Sequence, residues 1–381
     1  MLIGICGGLC SGKNTIAQYL VEHLGFQRLY LHNQSSSTIL SNPEKKESSG
    51  TTTTSPNVAD TTTISASISY SPQSSCSLHF DTADELIAFV TKNWQTRYVI
   101  THIASFELLD QLSQRPFFLL IKVDAPLMKR YERYLARESS SPTLPSLGQS
   151  SGVLMDLTEF VRRSDEHLYH PRSGGIAALA SRADITLLNT SGSVAHLYAT
   201  LGRLALHDEE RLRPSWDAYF MALAALASRR SNCMKRRVGC VLVKDRRVVA
   251  TGYNGTPRGL TNCGDGGCPR CNAGEGSGVG LATCLCLHAE ENALLEAGRT
   301  RISGGGAEGG EERGSILYCD TCPCLTCSIK IAQVGIKEVV YAQGYSMDDY
   351  SARVLGAAGV KLRQFCPPAN GFIHLENLDL H

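Results

Sequence analysis

Cys284–Leu295, CLCLHAEENALL, and Tyr318–Gly335, YCDTCPCLTCSIKIAQVG, are the stretches that decide how the second half of this chain folds. In the first, His288-Ala289-Glu290 opens a run with apolar residues at helical spacing. In the second, SILYC reads as a buried strand and Pro323 stands just before or within a first helical turn, where its missing N–H costs nothing. LTCSIKIAQV then continues as a helix, with Gly335 at its end. Two helix starts separated by a strand predict an α/β layer. Both starts carry metal-ligating side chains: His288 on one, Cys324 and Cys327 on the other.

One helical turn separates Cys324 from Cys327, so both sulfurs can face one metal. A helix N-terminus favours the thiolate form that ligation needs. One nitrogen and two sulfur ligands leave the fourth tetrahedral position of Zn2+ open, the catalytic form of such a site, in which bound water becomes a usable nucleophile at neutral pH. Glu290, two residues from His288, need not bind the metal and is placed to carry a proton. The pairing is similar to the H-x-E…P-C-x-x-C signature of zinc deaminases, a recognised pattern that spacing alone does not yield. The alternative is a closed knot of Cys319, Cys322, Cys324 and Cys327, which would leave His288-Ala289-Glu290 unexplained.

Working outward, SWDAYFMALAALASRRS predicts an amphipathic helix, GCVLVKD and RVVATGYN a hairpin, and KEVVYA, DDYSARVLGAAG and VKLRQF a strand, a helix and a last strand. Together they predict a three-layer α/β/α domain over residues 214–366, with 367–381 as a C-terminal tail.

Residues 214–366 resemble the deoxycytidylate (dCMP) deaminase family, its fungal-type members most. The resemblance rests on PSWDAYFMALAALASRRSNCMKRRVGCVLV, GYNGTPRG, CLCLHAEENAL, YCDTCPCLTCSIKIAQVGIKEVVY and AGVKLRQF. It implies the cytidine-deaminase-like fold and hydrolysis of dCMP to dUMP and ammonia, with dUMP feeding thymidylate synthesis. It also implies a homo-oligomer, usually a hexamer, activated by dCTP with Mg2+ and inhibited by dTTP. Carried over by position, Asn254 contacts the nucleotide, Arg230 and Ser231 lie near the substrate phosphate, Ala289 belongs to the substrate site, and Tyr345 covers the base. The allosteric nucleotide falls at Gly252, Tyr253, Asn254, Gly255 and Gly259. Each has a plainer reading: a polar turn residue, a solvated helix end, a core aromatic, a glycine-rich turn.

Twelve of the fifteen cysteines lie after residue 230. Cys263, Cys268, Cys271, Cys284 and Cys286 crowd a glycine-rich loop that would be poorly ordered without a staple. A second, structural zinc is expected there, on Cys263, Cys268 and Cys271 with Cys284 or Cys286 as the fourth ligand. The alternative is reduced thiols in a mobile loop.

Residues 1–206 predict a separate α/β domain with a parallel sheet flanked by helices. Its LIGIC strand leads into Gly7-Gly8-Leu9-Cys10-Ser11-Gly12-Lys13 and a helix, the spacing of a phosphate-cradling loop whose candidate residues are Gly7, Gly12 and Lys13. The domain resembles small P-loop kinases of the nucleotide and dephospho-coenzyme A type, also through VDAPLMKRYERYLAR and ADITLLNTSGSVAHLY. Asn14 stands where that pattern has the magnesium-holding Ser or Thr, so the expectation is a degenerate P-loop-like doubly wound domain. Ser/Thr-rich residues 33–79 predict a disordered insert, 139–152 a loop and 207–213 a linker.

Charge is nearly balanced, at +1, which fits a small-molecule enzyme and argues against a nucleic-acid-editing deaminase or any polymer partner. Glu290 argues against an inactive zinc scaffold and Asn14 against a phosphotransferase. No stretch approaches the roughly 20 apolar residues of a membrane helix, and the first residues lack the pattern of a signal peptide. The expectation is an intracellular protein with no membrane partner, cytoplasmic, with the nucleus left open.

Overall fold

The structure is a computed structural model, which describes residues 1–32, 77–103, 105–140, 154–170, 175–276, 279–303, 314–344, 348–366 and 371–375. The chain divides into two compact units, Met1–Arg213 with Ala369–His381, and Pro214–Pro368.

In the first unit, β1 (Leu2–Gly7), α1 (Lys13–Leu24) and β2 (Gln27–Leu31) precede β3 (Ser77–Phe80), α2 (Ala83–Lys92), β4 (Tyr98–Ile100) and α3 (Phe106–Ser113). Then come β5 (Phe118–Asp124), α4 (Leu127–Ser140), α5 (Leu157–Tyr169), α6 (Gly175–Ala180), β6 (Ile185–Leu188) and α7 (Val194–Leu204). The sheet is parallel throughout; from β6 to β3 its order is β6-β5-β1-β4-β2-β3. Buried on both faces, β1 sends Ile3 and Ile5 into the core with α1 and α7, and Leu2 and Cys6 into the core with α2 and α3.

Four boundaries differ from expectation. Ser77, Leu78 and His79, counted in the disordered insert, belong to β3, because Leu78 and Phe80 alternate onto the α2 side of the sheet and pair with β2; residues 33–76 lie outside the described residues. The segment 207–213 is not a free linker: Asp208 caps a short 3-10 turn over Glu209–Arg211, and Arg211 donates to the carbonyls of Leu204 and Ala205. The tail 367–381 supplies a strand of the first unit further along the chain, Gly371–His374, which lies parallel to β6 at the sheet edge with Ile373 buried. Ser139 and Ser140, expected in the loop 139–152, instead end α4; residues 141–152 lie outside the described residues.

The second unit holds α8 (Trp216–Ser228), β7 (Gly239–Lys244), β8 (Arg247–Tyr253), α9 (Pro269–Asn272), α10 (Ala289–Ser303), β9 (Ile316–Thr321), α11 (Leu325–Val334), β10 (Glu338–Gln343), α12 (Asp348–Ala357) and β11 (Lys361–Gln364). The Gly371–His374 strand of the first unit follows as β12. The order is β11-β10-β9-β7-β8, with β7 antiparallel to both neighbours and β9, β10 and β11 parallel. α8 packs through Phe220, Met221 and Ala224 on the face carrying Val241, Val243 and Tyr318. α10, α11 and α12 cover the face carrying Cys240, Leu242, Leu317 and Cys319. These are the three layers that the sequence predicts.

Candidate active site

His288, Cys324 and Cys327 come together between the N-termini of α10 and α11. His288 Nδ1 lies 3.3 Å from Cys324 Sγ and 3.4 Å from Cys327 Sγ. Ligands at about 2.0–2.3 Å from one tetrahedral ion stand roughly 3.5 Å apart, so the set fits zinc without rearrangement. Cys324 is the N-cap of α11 and makes no capping bond to a backbone N–H, which leaves its sulfur for a metal. Pro323 precedes it and ends the strand-to-helix turn. Cys327, one turn on, is fully buried.

The electrostatics suit a cation. A hydrogen bond from Cys327, and others from His288 and Thr326, push the Cys324 thiol down to about 3, so this sulfur carries the negative charge. The Cys324 thiolate in turn raises the His288 pKa, and proximity to Cys324 raises that of Cys327. Both helix N-termini point their N–H dipoles at this charge.

Glu290 sits in the first turn of α10 and is 4% exposed. Burial pushes its carboxyl up to about 7, with His288 pulling the other way. It is not in the ligand set, whereas the neighbouring Glu291 has a scaffold role: its Oε2 accepts from the His288 N–H at 3.1 Å and it pairs with Lys330 of α11. Glu291 thereby ties the two ligand-bearing helices together, a role that the sequence does not signal.

The GYNG turn is built onto this site. Gly255 exchanges backbone hydrogen bonds with Leu287, the residue before His288, at 3.2 and 2.9 Å. At Gly252 a Cβ would come within 2.0 Å of the Ala289 carbonyl oxygen, so only glycine lets β8 approach α10 this closely. Asn292 of α10 donates to the Tyr253 carbonyl. Gly259, further on, has open space around its Cα.

Asn254 is 8% exposed and its amide is engaged within the chain. Its Oδ1 accepts from the Val238 N–H at 2.8 Å and from Ser231 Oγ at 2.7 Å, and its Nδ2 donates to the Arg236 carbonyl at 2.7 Å. Ser231 is thus brought to Asn254 while Arg230 is exposed at the end of α8. Ala289 is fully buried at the start of α10. Tyr345 lies outside the described residues.

Cys319 does not join the ligand set. It lies opposite Cys240 across the β7–β9 pair in the core, so the four-cysteine knot does not form. Cys263, Cys268, Cys271, Cys284 and Cys286 do gather, and Cys233, which the loop spacing does not include, joins them.

In the first unit, Lys13 Nζ donates to the carbonyls of Gly7 and Gly8 at 2.8 and 2.7 Å. Gly12 has φ 105°, a left-handed conformation that suits glycine. An open cleft of about 450 Å³ is lined by Gly12, Lys13, Arg133 and Asn189. Arg28 Nη2 donates to Asn14 Oδ1 at 2.6 Å.

The family profile described as "Cytidine and deoxycytidylate deaminase zinc-binding region" matches residues 214–343. The chain is 45% identical over 368 residues to the deoxycytidylate deaminase of Schizosaccharomyces pombe, covering 97% of this chain and 98% of that one. It is 44% identical over 295 residues to that of Saccharomyces cerevisiae, covering 75% and 87%. A solved dCMP deaminase of cyanophage S-TIM5, in complex with dCMP and dUMP, is 32% identical over 40% of this chain and 98% of its own, with a TM-score of 0.30. With both fungal relatives aligned over most of their length, and with a zinc-fitting ligand set beside a buried glutamate, this chain belongs to the deoxycytidylate deaminase family.

Proposed function

We propose that the chain hydrolyses dCMP to dUMP and ammonia at the site formed by His288, Cys324, Cys327 and Glu290, and so supplies dUMP for thymidylate synthesis. The observation that carries this reading is the convergence of three zinc-fitting side chains beside a buried carboxyl that is not among them. Zinc held there supplies a nucleophile at neutral pH by lowering the pKa of water. Glu290 takes one proton from the attacking water and delivers it to the ring nitrogen of cytosine; it then takes the remaining hydroxyl proton of the tetrahedral adduct and gives it to the amine, so that the C4–O double bond forms as the C4–N bond breaks and ammonia leaves. Burial suits this work, because a carboxyl pushed up to about 7 exchanges protons near neutrality. At 4% exposure the carboxyl has little access to bulk water.

Substrate contacts are assigned to Arg230 and Ser231 near the phosphate, with Asn254, the Ala289 backbone and Tyr345 around the nucleoside. In this reading Asn254 acts mainly by holding Ser231 and the segment that enters β7, since its amide is already bonded there. The turn Gly252, Tyr253, Asn254, Gly255 and Gly259 takes the regulatory nucleotide, dCTP with Mg2+ as activator and dTTP as inhibitor, in a homo-hexamer. Gly252 and Gly255 serve the scaffold, which leaves the Gly259 end of the turn for the ligand. The first unit is a degenerate P-loop kinase-like domain, supported by the Arg28–Asn14 bond at the magnesium position: a cation there repels Mg2+. Its phosphate loop, Gly7, Gly12 and Lys13, is a scaffold. Placement in the cytoplasm, with the nucleus left open, fits a nucleotide-pool enzyme; among the described residues no helix is long and apolar enough to cross a membrane.

The test is loss of ultraviolet absorbance with dCMP, CMP, deoxycytidine and cytidine, each with and without dCTP/Mg2+ or dTTP. The expected result is turnover of dCMP above all others, raised by dCTP and suppressed by dTTP. Turnover of deoxycytidine or an RNA cytosine in place of dCMP would refute the substrate assignment.

A further inference from the structure

Two four-cysteine sets in the second unit overlap. Cys233, Cys263, Cys271 and Cys286 have all their sulfurs within 4.8 Å of one another, and so do Cys268, Cys271, Cys284 and Cys286. The sets share Cys271 and Cys286, so six sulfurs make two tetrahedra with a common edge. We propose that these six cysteines hold two zinc ions in a binuclear cluster, bridged by the Cys271 and Cys286 thiolates, separate from the catalytic zinc.

The distances exclude disulfides and fit metal ligands, and the gathering of six sulfurs in one place favours metal over free thiols. Sulfurs on one zinc at about 2.3 Å stand roughly 3.8 Å apart. The shared edge Cys271–Cys286 measures 4.0 Å, Cys233–Cys271 3.9 Å, Cys271–Cys284 3.9 Å and Cys268–Cys284 4.0 Å. None is a disulfide, and five of the six, Cys233, Cys263, Cys268, Cys271 and Cys286, are buried, with Cys284 half-buried against them.

A single zinc in either tetrahedron would strand two cysteines of the other. Hydrogen-bond donors instead address sulfurs on both sides of the shared edge. The Met234 N–H points at Cys263 Sγ at 3.5 Å and Asn272 Nδ2 at 3.9 Å, both in the first tetrahedron. In the second, the Leu285 N–H points at Cys268 Sγ at 3.4 Å and Arg270 Nη1 at Cys284 Sγ at 3.7 Å. Such N–H···S contacts support thiolate ligands and tune them. Two dications and six thiolates leave a net charge of −2, which Arg270 and these N–H dipoles offset. Loading both ions displaces six thiol protons to solvent.

The cluster has a structural consequence for the active site. Cys286 lies two residues before His288, and Cys233 lies between Ser231 and the start of β7. The first tetrahedron, which contains both Cys233 and Cys286, therefore anchors the segment that leads into His288 and the segment bonded to Asn254.

The test is the metal content of the full chain purified with zinc and without chelators, together with zinc X-ray absorption. The proposal expects three zinc per chain and a zinc–zinc vector at roughly 2.7–3.3 Å: ideal edge-sharing tetrahedra with ~2.3 Å bonds give roughly 2.7 Å, and shortening of the shared sulfur–sulfur edge lengthens it. Cys324→Ser should lower the count to two and keep that vector; Cys271→Ser should lower it below two and abolish the vector. If Cys271→Ser does not fold, 113Cd-substituted wild type decides, with two mutually coupled resonances in the all-sulfur range expected. Two zinc per chain without a zinc–zinc vector, one zinc per chain, or iron in place of zinc would each overturn the cluster. None of these readouts depends on which nucleotide is deaminated.

Discussion

Replacing Asn254 with alanine separates two roles for this residue. The side chain satisfies the Val238 N–H and the Arg236 carbonyl, and it also takes the Ser231 hydroxyl. Truncation orphans two backbone groups next to a residue only 8% exposed. At about 1–3 kcal/mol for each unsatisfied buried group, less some relief from water entering, the cost is about 2–4 kcal/mol. For a unit the size of Pro214–Pro368 this corresponds to a fall of about 4–16 °C in its thermal transition. Differential scanning calorimetry of wild type and Asn254→Ala measures the transition, and hydrogen exchange reads the Val238 amide directly. The expected result is a lowered transition for the second unit, faster exchange at the start of β7, and reduced turnover that follows from the loosened frame. An unmoved transition with unchanged exchange and a raised KM for dCMP would refute the staple and make Asn254 a substrate contact alone.

Two further outcomes follow from other parts of the chain. Asp217 at the start of α8 accepts from Tyr318 at 2.8 Å and from Arg363 at 2.7 Å. Burial penalises its carboxylate, but these two bonds outweigh that and hold its pKa below the ordinary value. Its contribution to stability is therefore present above the unfolded carboxylate pKa of about 3.9 and disappears as pH falls through the lower folded value. Asp217→Asn should destabilise the second unit at pH 7 and lose that effect as pH falls through the lowered folded pKa; denaturant midpoints that differ equally at pH 7 and in acid would contradict the ion pair. In the first unit, equilibrium dialysis with ATP and Mg2+ should find no binding, since Arg28 occupies the side chain of Asn14. Binding that Lys13→Ala abolishes would make the glycine loop a working nucleotide site.

The catalytic ligands were legible because each chemical group sits at a fixed short spacing on a helix start: His288-Ala289-Glu290 opening α10 and Cys324 with Cys327 opening α11. Local periodicity likewise reveals α8, the β7–β8 hairpin and the strands that follow, each having one apolar face or a buried run. What could not be read is what long-range contact decides. β12 is four residues whose partner β6 is far earlier in the chain, and Ser77–Phe80 is a strand only because β2 lies beside it. Cys233 stands thirty residues before Cys263, outside any ligand spacing, and only the fold brings their sulfurs together. Gly252 and Gly255 read as turn glycines because nothing local reveals α10 and Leu287 against them. Asn254 reads as a nucleotide contact for the same reason: its bonding partners are 16–23 residues away in sequence.

The central claim is a division of labour, in which His288, Cys324 and Cys327 hold the metal and Glu290 moves the proton. Measuring zinc content and dCMP turnover on the same preparation of Glu290→Gln tests it most directly. The account predicts wild-type zinc content with turnover reduced by about 10²–10⁴-fold, the usual contribution of a general acid–base group. Loss of one zinc per chain alongside the activity, or near-normal turnover with full zinc, would contradict it.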